Sequence, residues 1–276
     1  MEKPPAVSVI LPTYNREVFL KRALKSILGQ SFSDFELIVI NDASADGTCV
    51  FLDELAKKDA RIRPVHHEKN YYPDISWTLN EGLECARGKY IARLDDDDYW
   101  GDPDKLKKQV AFLDAHLDYM VVGSGMIVVD AEEKELFRYL KPETDGAIRK
   151  SALFANPFSH TTVMFRKKEA VEVGGYKNWE YAEDWDLWLS LGEKGKLYNF
   201  PEYFAYYTMS GANKSLVHQR AQSKTILEII TLHRKTYPRF FFAYSFNFLQ
   251  LAYSYLPFFL RKRLHIFLSQ LKRKAG

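Results

Sequence analysis

Cysteine is nearly absent: Cys49 and Cys85 are the two in 276 residues. That is too few for a disulfide framework, and their separation matches no zinc motif. Both fall in helix-like segments, where we expect buried thiols packing as small hydrophobes. Glycine is missing from Pro12–Arg16, the turn after the first apolar run. This counts against a nucleotidyltransferase, whose phosphate loop near the N-terminus is glycine-rich and basic. Met1-Glu2-Lys3-Pro4-Pro5 leads straight into a strand-like run, with no apolar leader before it. We therefore expect no signal peptide and a cytoplasmic address. Internal repeats and low-complexity linkers are lacking too. Acids are scarce at the end of the chain: from Ser215 to Gly276, 11 Lys/Arg face Glu228 alone. The net charge of +3 thus divides into +10 on this tail and −7 on the rest. An acidic body suits a cationic or metal-mediated task, and a basic tail suits an anionic surface.

The first 125 residues alternate apolar runs with amphipathic stretches. Val7–Leu11, Phe35–Ile40, Ile62–His66 and Tyr90–Leu94 read as strands, the first a continuous β-branched run of the kind buried on both faces. Helices are expected over 18–30, 46–58, 75–86 and 103–116, the last capped by Asp102. This alternation predicts an α/β fold with a mostly parallel, Rossmann-like sheet flanked by helices. Beyond it, strands are expected at 119–129, 136–139, 158–166 and 197–207, with a helix at 185–194. We read residues 1–214 as one domain and 215–276 as a helical tail.

Ligands of open parallel sheets bind beyond the carboxyl ends of the strands. Three polar clusters sit there: Pro12–Arg16, Asn41–Thr48 and Asp95–Asp98. Four adjacent carboxylates repel one another unless a cation neutralises them, and Mg²⁺ or Mn²⁺ commonly bridges such acids to substrate phosphates. Acids also gather ahead of helix N-termini, but that accounts better for Asp102 and Asp104 than for a run ending a strand. Asp42, at a strand tip, is placed to accept hydrogen bonds from a nucleotide base. In Trp179–Trp188, four acids among three tryptophans and a tyrosine suggest a pocket wall with a partly desolvated carboxylate as base.

VSVILPTYNRE, LIVINDASADGT, GKYIARLDDDDYW and YAEDWDLWLSL, in this order, resemble the motifs of family 2 glycosyltransferases with the GT-A fold. The similarity spans about Ala6 to Tyr207. It implies that Pro12, Thr13 and Asn15 line a nucleotide pocket with Asp42 on the base. Asp95 and Asp97 would form the Asp-x-Asp pair. Asp97 and Asp98 would hold Mn²⁺ or Mg²⁺, and Asp95 and Asp96 would lie on the donor. Asp184 would be the general base of an inverting transfer, and His160, Glu183 and Trp185 would lie by the acceptor. Asn41 and Ala43 depart from the family's usual Asp and Gly, which implies altered nucleotide contacts. The implied donor is a nucleotide-diphosphate sugar, with UDP as the default. The implied acceptor is a saccharide or lipid-linked sugar. A non-catalytic nucleotide-sugar-binding or scaffold subunit of the same fold is the alternative.

Between Arg239 and Arg261 the chain carries no charge and is rich in Phe and Tyr. Ser245, Asn247, Gln250, Ser254 and Pro257 interrupt it, which disfavours a membrane span. Aromatics flanked by Arg261-Lys262-Arg263 and Lys272-Arg273-Lys274 fit peripheral attachment to anionic lipid; packing on the body or dimerisation are the other readings. Basic residues grouped at the ends of an aromatic run, not along a groove, argue against nucleic acid.

Overall fold

In the first half of the chain, apolar runs pair side by side in parallel. The structure is a computed structural model and describes residues 3–72, 74–209 and 219–255. β1 (Val7–Thr13) and β2 (Phe35–Asn41) are buried from end to end. β1 pairs with β2 and with β4 (Tyr90–Arg93), and β2 pairs with β3 (Ile62–His66), all parallel. The crossovers are α1 (Glu17–Leu28), α2 (Thr48–Lys58) and α3 (Ile75–Cys85). α1 buries Leu20, Ala23, Leu24 and Ile27, the stripe its spacing predicts. Because the strands are parallel and in register, Thr13 beside Asn41 and Ile10 beside Arg93, the polar clusters after β1, β2 and β4 emerge on one edge.

The rest of the sheet is mixed. β5 (Tyr99–Trp100), α4 (Lys105–Ala115), β6 (Tyr119–Val129), β7 (Glu135–Tyr139), α5 (Asp145–Ser151), β8 (Met164–Arg166), α6 (Lys167–Glu172), α7 (Glu183–Lys194) and β9 (Lys196–Thr208) follow in order. The sheet runs β3-β2-β1-β4-β8-β6-β9-β5, with β7 on β6. β8 is antiparallel to both β4 and β6, so the direction changes next to the Asp95–Asp98 loop.

The expected strand over 158–166 divides into a 3₁₀ turn at His160–Thr162 and the short β8. The Thr162 hydroxyl donates to the Ser159 carbonyl at 2.8 Å, a local bond that competes with a ladder. Neither cysteine is fully buried: both thiols are free and half-exposed. α8 (Gln219–Leu232) and α9 (Phe240–Tyr255) pack on the body through Leu227, Ile229, Ile230, Tyr237 and Ala243 against Ala152, Leu153, Trp185 and Leu189. Among the described residues no helix is long and apolar enough to cross a membrane. Residues 256–276, with the second half of the basic aromatic tail, lie outside the described residues.

At the edge opposite the polar clusters, Glu36 clips three strands together. Its carboxylate accepts from the Ser8 hydroxyl (2.7 Å), the Arg87 N–H (2.7 Å), the Arg87 Nε (2.9 Å) and the Arg63 Nη1 (2.6 Å). The Gly88 N–H donates to Ser8 Oγ at 2.8 Å, and a Cβ on Gly88 would stand 2.5 Å from the Ser8 nitrogen. Burial opposes ionisation of Glu36, but the Ser8, Arg87 and Arg63 hydrogen bonds outweigh it and hold its pKa below 4.5. A depressed carboxylate contributes stability above its unfolded pKa and loses it as pH falls through the folded value. Glu36→Ala should therefore lower the unfolding free energy at pH 7 by about 2–4 kcal/mol. It should also flatten the loss of stability below pH 4.5; urea titrations across pH measure both, and unchanged stability at pH 7 rules the clip out.

Candidate active site

The loops after β1 and β2 are laced together. Asn15 has left-handed backbone geometry (φ 51°), its N–H donates to Ser44 Oγ at 2.9 Å, and its Oδ1 accepts from the Ala45 N–H at 2.7 Å. Asn15, expected at the nucleotide, thus ties the two loops together. Pro12 and Thr13 are buried at the end of β1. Asp42 accepts from the Tyr71 N–H at 3.1 Å and meets His67 Nδ1 at 2.7 Å, while His67 Nε2 meets Glu81 at 2.5 Å. Tyr71 stacks on Trp77 with ring centroids 3.8 Å apart. Asp42 thus stands on a braced platform with an aromatic wall beside it. His67 was not legible in the sequence, because a lone histidine 25 residues from Asp42 carries no motif.

The four aspartates differ in what they meet. Asp95 and Asp98 line a cavity of about 300 Å³, together with Tyr139, Lys141, Asn156, His160 and Asp184. Asp96 and Asp97 are not among its lining residues and meet the loop after β1. The Tyr14 N–H lies 3.4 Å from Asp96 Oδ2, and the Arg16 guanidinium hydrogen-bonds Asp97 and stands 3.6 Å from Asp96. Asp95 pairs with Arg93 at 2.7 Å. Burial opposes its charge, yet Arg93 and the positive groups around it keep its pKa below the usual value.

The other three carboxyls rise. Burial lifts Asp96 to about 7. Burial together with the charge of Asp95 raises Asp97. Burial with Asp95 and Asp97 raises Asp98 well above the ordinary range. Asp98 is fully buried; its Oδ1 accepts from the Thr208 N–H at 2.9 Å, and its Oδ2 is buried with no hydrogen-bond partner among the described residues. A buried carboxylate oxygen without a partner, amid acids whose charges raise each other's pKa, fits a hard divalent cation.

Cys49, Asp53 and His66 also approach one another within 4.8 Å, but they make a poor metal site. The Asn41 side-chain oxygen accepts from the Ser44 N–H at 3.1 Å, which turns its NH₂ toward His66 Nδ1, also at 3.1 Å. His66 Nδ1 is therefore the acceptor, and Nε2 carries the proton toward Asp53 at 3.1 Å, with no lone pair for an ion.

Asp184 lies in the first turn of α7, just after Ala182 in left-handed geometry (φ 59°). Its Oδ2 accepts from Asn156 Nδ2 at 2.8 Å and its Oδ1 from the Trp185 N–H at 2.8 Å. Asn156 in turn accepts from the Lys141 ammonium through its carbonyl at 2.9 Å. Burial lowers the Lys141 pKa against the opposing pull of Asp184. His160 lines the same cavity and meets the Tyr176 hydroxyl at 3.0 Å. Burial, then the Arg93 charge, depresses it to about 4, so it is neutral near pH 7.

Glu183 opens α7 and does not line the cavity. Trp185, expected beside the acceptor, is 5% exposed and donates its ring N–H to the Ala152 carbonyl at 2.8 Å, inside the core under α8 and α9. Trp188 is likewise core, against Phe158 and Phe165. The aromatics of this stretch hold α7 in place, and the cavity wall comes from Met126, Val128, Phe137, Tyr139 and Phe158. Lys141 and Asn156 fall in a stretch whose short elements leave no periodic pattern, so sequence reasoning missed them.

Residues 8–174 match the family model described as Glycosyl transferase family 2. The chain is 32% identical over 239 residues to an uncharacterized glycosyltransferase of Haemophilus influenzae, covering 83% of this chain and 73% of that one. It is also 32% identical over 196 residues to the GalNAc(5)-diNAcBac-PP-undecaprenol beta-1,3-glucosyltransferase of Campylobacter jejuni, covering 70% of this chain and 62% of that one. Among solved structures, the mannosyltransferase PcManGT of Pyrobaculum calidifontis, in complex with GDP-Man and Mn²⁺, superposes with a TM-score of 0.65 at 18% identity. That match covers 98% of this chain and 81% of the other, and it shows the shared GT-A fold. With most of its length matched by that family model and by a relative at 32% identity, the chain belongs to glycosyl transferase family 2.

Proposed function

We propose that the protein is an inverting, metal-dependent hexosyltransferase that moves a sugar from a nucleotide-diphosphate sugar to a saccharide or lipid-linked acceptor. The observation that supports this reading is that Asp95, Asp98 and Asp184 line one cavity. The nucleotide would lie along the ends of β1 and β2, its base by Asp42 and the Tyr71–Trp77 stack, with UDP as the default. Asp97 and Asp98 would hold Mn²⁺ or Mg²⁺, which supplies charge neutralisation of the departing diphosphate. The relative that binds GDP-Man and Mn²⁺ supports both the donor class and the metal.

Asp184 is the base. Its two oxygens each accept one hydrogen bond, from Asn156 and from its own helix, which leaves lone pairs directed to the cavity. It takes the proton of the acceptor hydroxyl as that oxygen bonds to the anomeric carbon and the nucleoside diphosphate leaves with the bonding pair. Such a displacement from the opposite face inverts the centre. Neutral His160 and Lys141, bonded to the Asn156 carbonyl, complete the acceptor side. Asp184→Asn should leave nucleotide affinity within about twofold and cut kcat by about 10²–10⁴-fold; steady-state rates beside calorimetry read both, and undiminished turnover removes Asp184 from the role.

The acceptor belongs at a membrane on this reading, in cell-surface polysaccharide or glycolipid synthesis at the cytoplasmic face. A similar relative acts, by its name, on an undecaprenol-linked saccharide. α9 supports the placement: it turns Ala243, Asn247 and Ser254 inward and leaves Phe241 82%, Phe242 74% and Leu249 66% exposed. A helix that hides its small residues and shows its aromatics is built for an apolar partner outside the chain. The protein should therefore co-sediment with anionic vesicles at low salt, and Phe241→Ser with Phe242→Ser should weaken partition by about tenfold or more. Wild-type protein that floats free of the vesicles refutes membrane attachment.

A further inference from the structure

Two guanidiniums face the acidic run, and they are held in different ways. Arg93 is 1% exposed; it bonds the Leu94 carbonyl and Asp95, so it is built into the wall. Arg16 has a side chain 36% exposed and, among the described residues, one hydrogen bond, from Nη1 to Asp97. A guanidinium carries five N–H donors in a planar fork, so a single bond to one carboxylate oxygen uses little of it. Arg16 also comes from the loop expected at the nucleotide, directly after left-handed Asn15. A third guanidinium, Arg22, meets the backbone carbonyl of Asp97 at 2.7 Å and leaves the carboxylate alone.

We propose that Arg16 is a placeholder for the metal: it neutralises Asp97 in the free enzyme and yields that carboxylate to a divalent ion when a donor diphosphate offers the guanidinium a new anionic partner. The inference rests on the metal-dependent reading above and adds a role for a residue of this chain. Its basis is that a guanidinium at contact distance repels a divalent ion on the same carboxylate, so the two compete for Asp97. A diphosphate resolves the conflict, since its oxygens match the fork bidentately where Asp97 engages one N–H. Metal and diphosphate then bind as a pair, and the coupling is reciprocal: each raises the affinity of the other by the same factor.

The test measures Mn²⁺ affinity, by electron paramagnetic resonance of free Mn²⁺, for wild type, Arg16→Gln and Arg16→Lys. Each is titrated alone and with saturating pyrophosphate, UDP or GDP; pyrophosphate reads the diphosphate without a base. Wild type should bind Mn²⁺ weakly alone and at least about tenfold more tightly with diphosphate. Arg16→Gln should bind Mn²⁺ about tenfold more tightly than wild type when alone, and the gain from diphosphate should shrink. Arg16→Lys keeps a positive charge without the fork, so it should still hold off Mn²⁺ while losing part of the diphosphate gain. If wild type binds Mn²⁺ with diphosphate and Arg16→Gln, with a native melting transition, binds it no better than wild type when alone, the placeholder is overturned and the metal reading stands. If wild type binds no Mn²⁺ with any of the three anions, the metal reading falls and the placeholder with it.

Discussion

A carboxylate taken out of water needs a hydrogen bond, a cation or a proton, and the Asp95–Asp98 run faces that need in differing degree, from the 38% exposed side chain of Asp95 to fully buried Asp98. The fold meets it unevenly. Asp95 has Arg93, Asp97 has Arg16, Asp96 leans on the Tyr14 N–H, and Asp98 has one backbone donor and an oxygen left over. The rest of the site is arranged around this imbalance. β1, β2 and β4 bring their polar ends to the same edge because they are parallel and in register. The switch to antiparallel pairing at β8 then places the His160–Thr162 turn over the acids: the Asp95 N–H points to Thr161 Oγ1 at 3.3 Å, and Trp100 donates to the Thr161 carbonyl at 2.9 Å.

α7 joins this chemistry to the tail. Its first turn presents Asp184 to the cavity, while Trp185 and Leu189 on its other side form the core shared with α8 and α9. Two residues on, buried Asp186 meets His233 Nε2 at 2.8 Å and Lys177 at 3.0 Å, and His233 Nδ1 meets Glu193 at 2.8 Å. The α8–α7 junction is therefore hydrogen-bonded as well as apolar. On α9, Asn247 donates to the Leu153 carbonyl at 3.0 Å, three residues before the Asn156 that orients Asp184. α9 is thus stitched to the segment that holds Asp184.

Much of the parallel half of the sheet and its polar edge was legible in the sequence because buried parallel strands allow few polar residues, and those at their ends stand out. VSVIL and FELIVI announced β1 and β2, and the acids after YIARL announced the site. What stayed hidden depends on partners far apart in the chain: Arg16 reaches Asp97 across 81 residues, and Asn156 reaches Asp184 across 28. Single polar residues of this kind leave no periodic trace. Trp185 misled for a different reason, since an aromatic beside an acid can equally line a pocket or fill a core, and only the packing of α8 and α9 decides between them. The small and polar stripe Ala243, Asn247, Ser254 was in plain view, but aromatic content masked the helical spacing that makes it the inward face.

The central claim is that the acidic cleft activates a nucleotide-sugar with the help of a divalent ion. The direct measurement is release of nucleotide from a panel of nucleotide-sugars in Mn²⁺, in Mg²⁺ and in EDTA. Slow release from one donor, supported by either metal and abolished by EDTA, is the expected result. Release that persists in EDTA contradicts the metal, and no release from any donor with no nucleotide bound contradicts the enzyme and leaves a scaffold of the same fold.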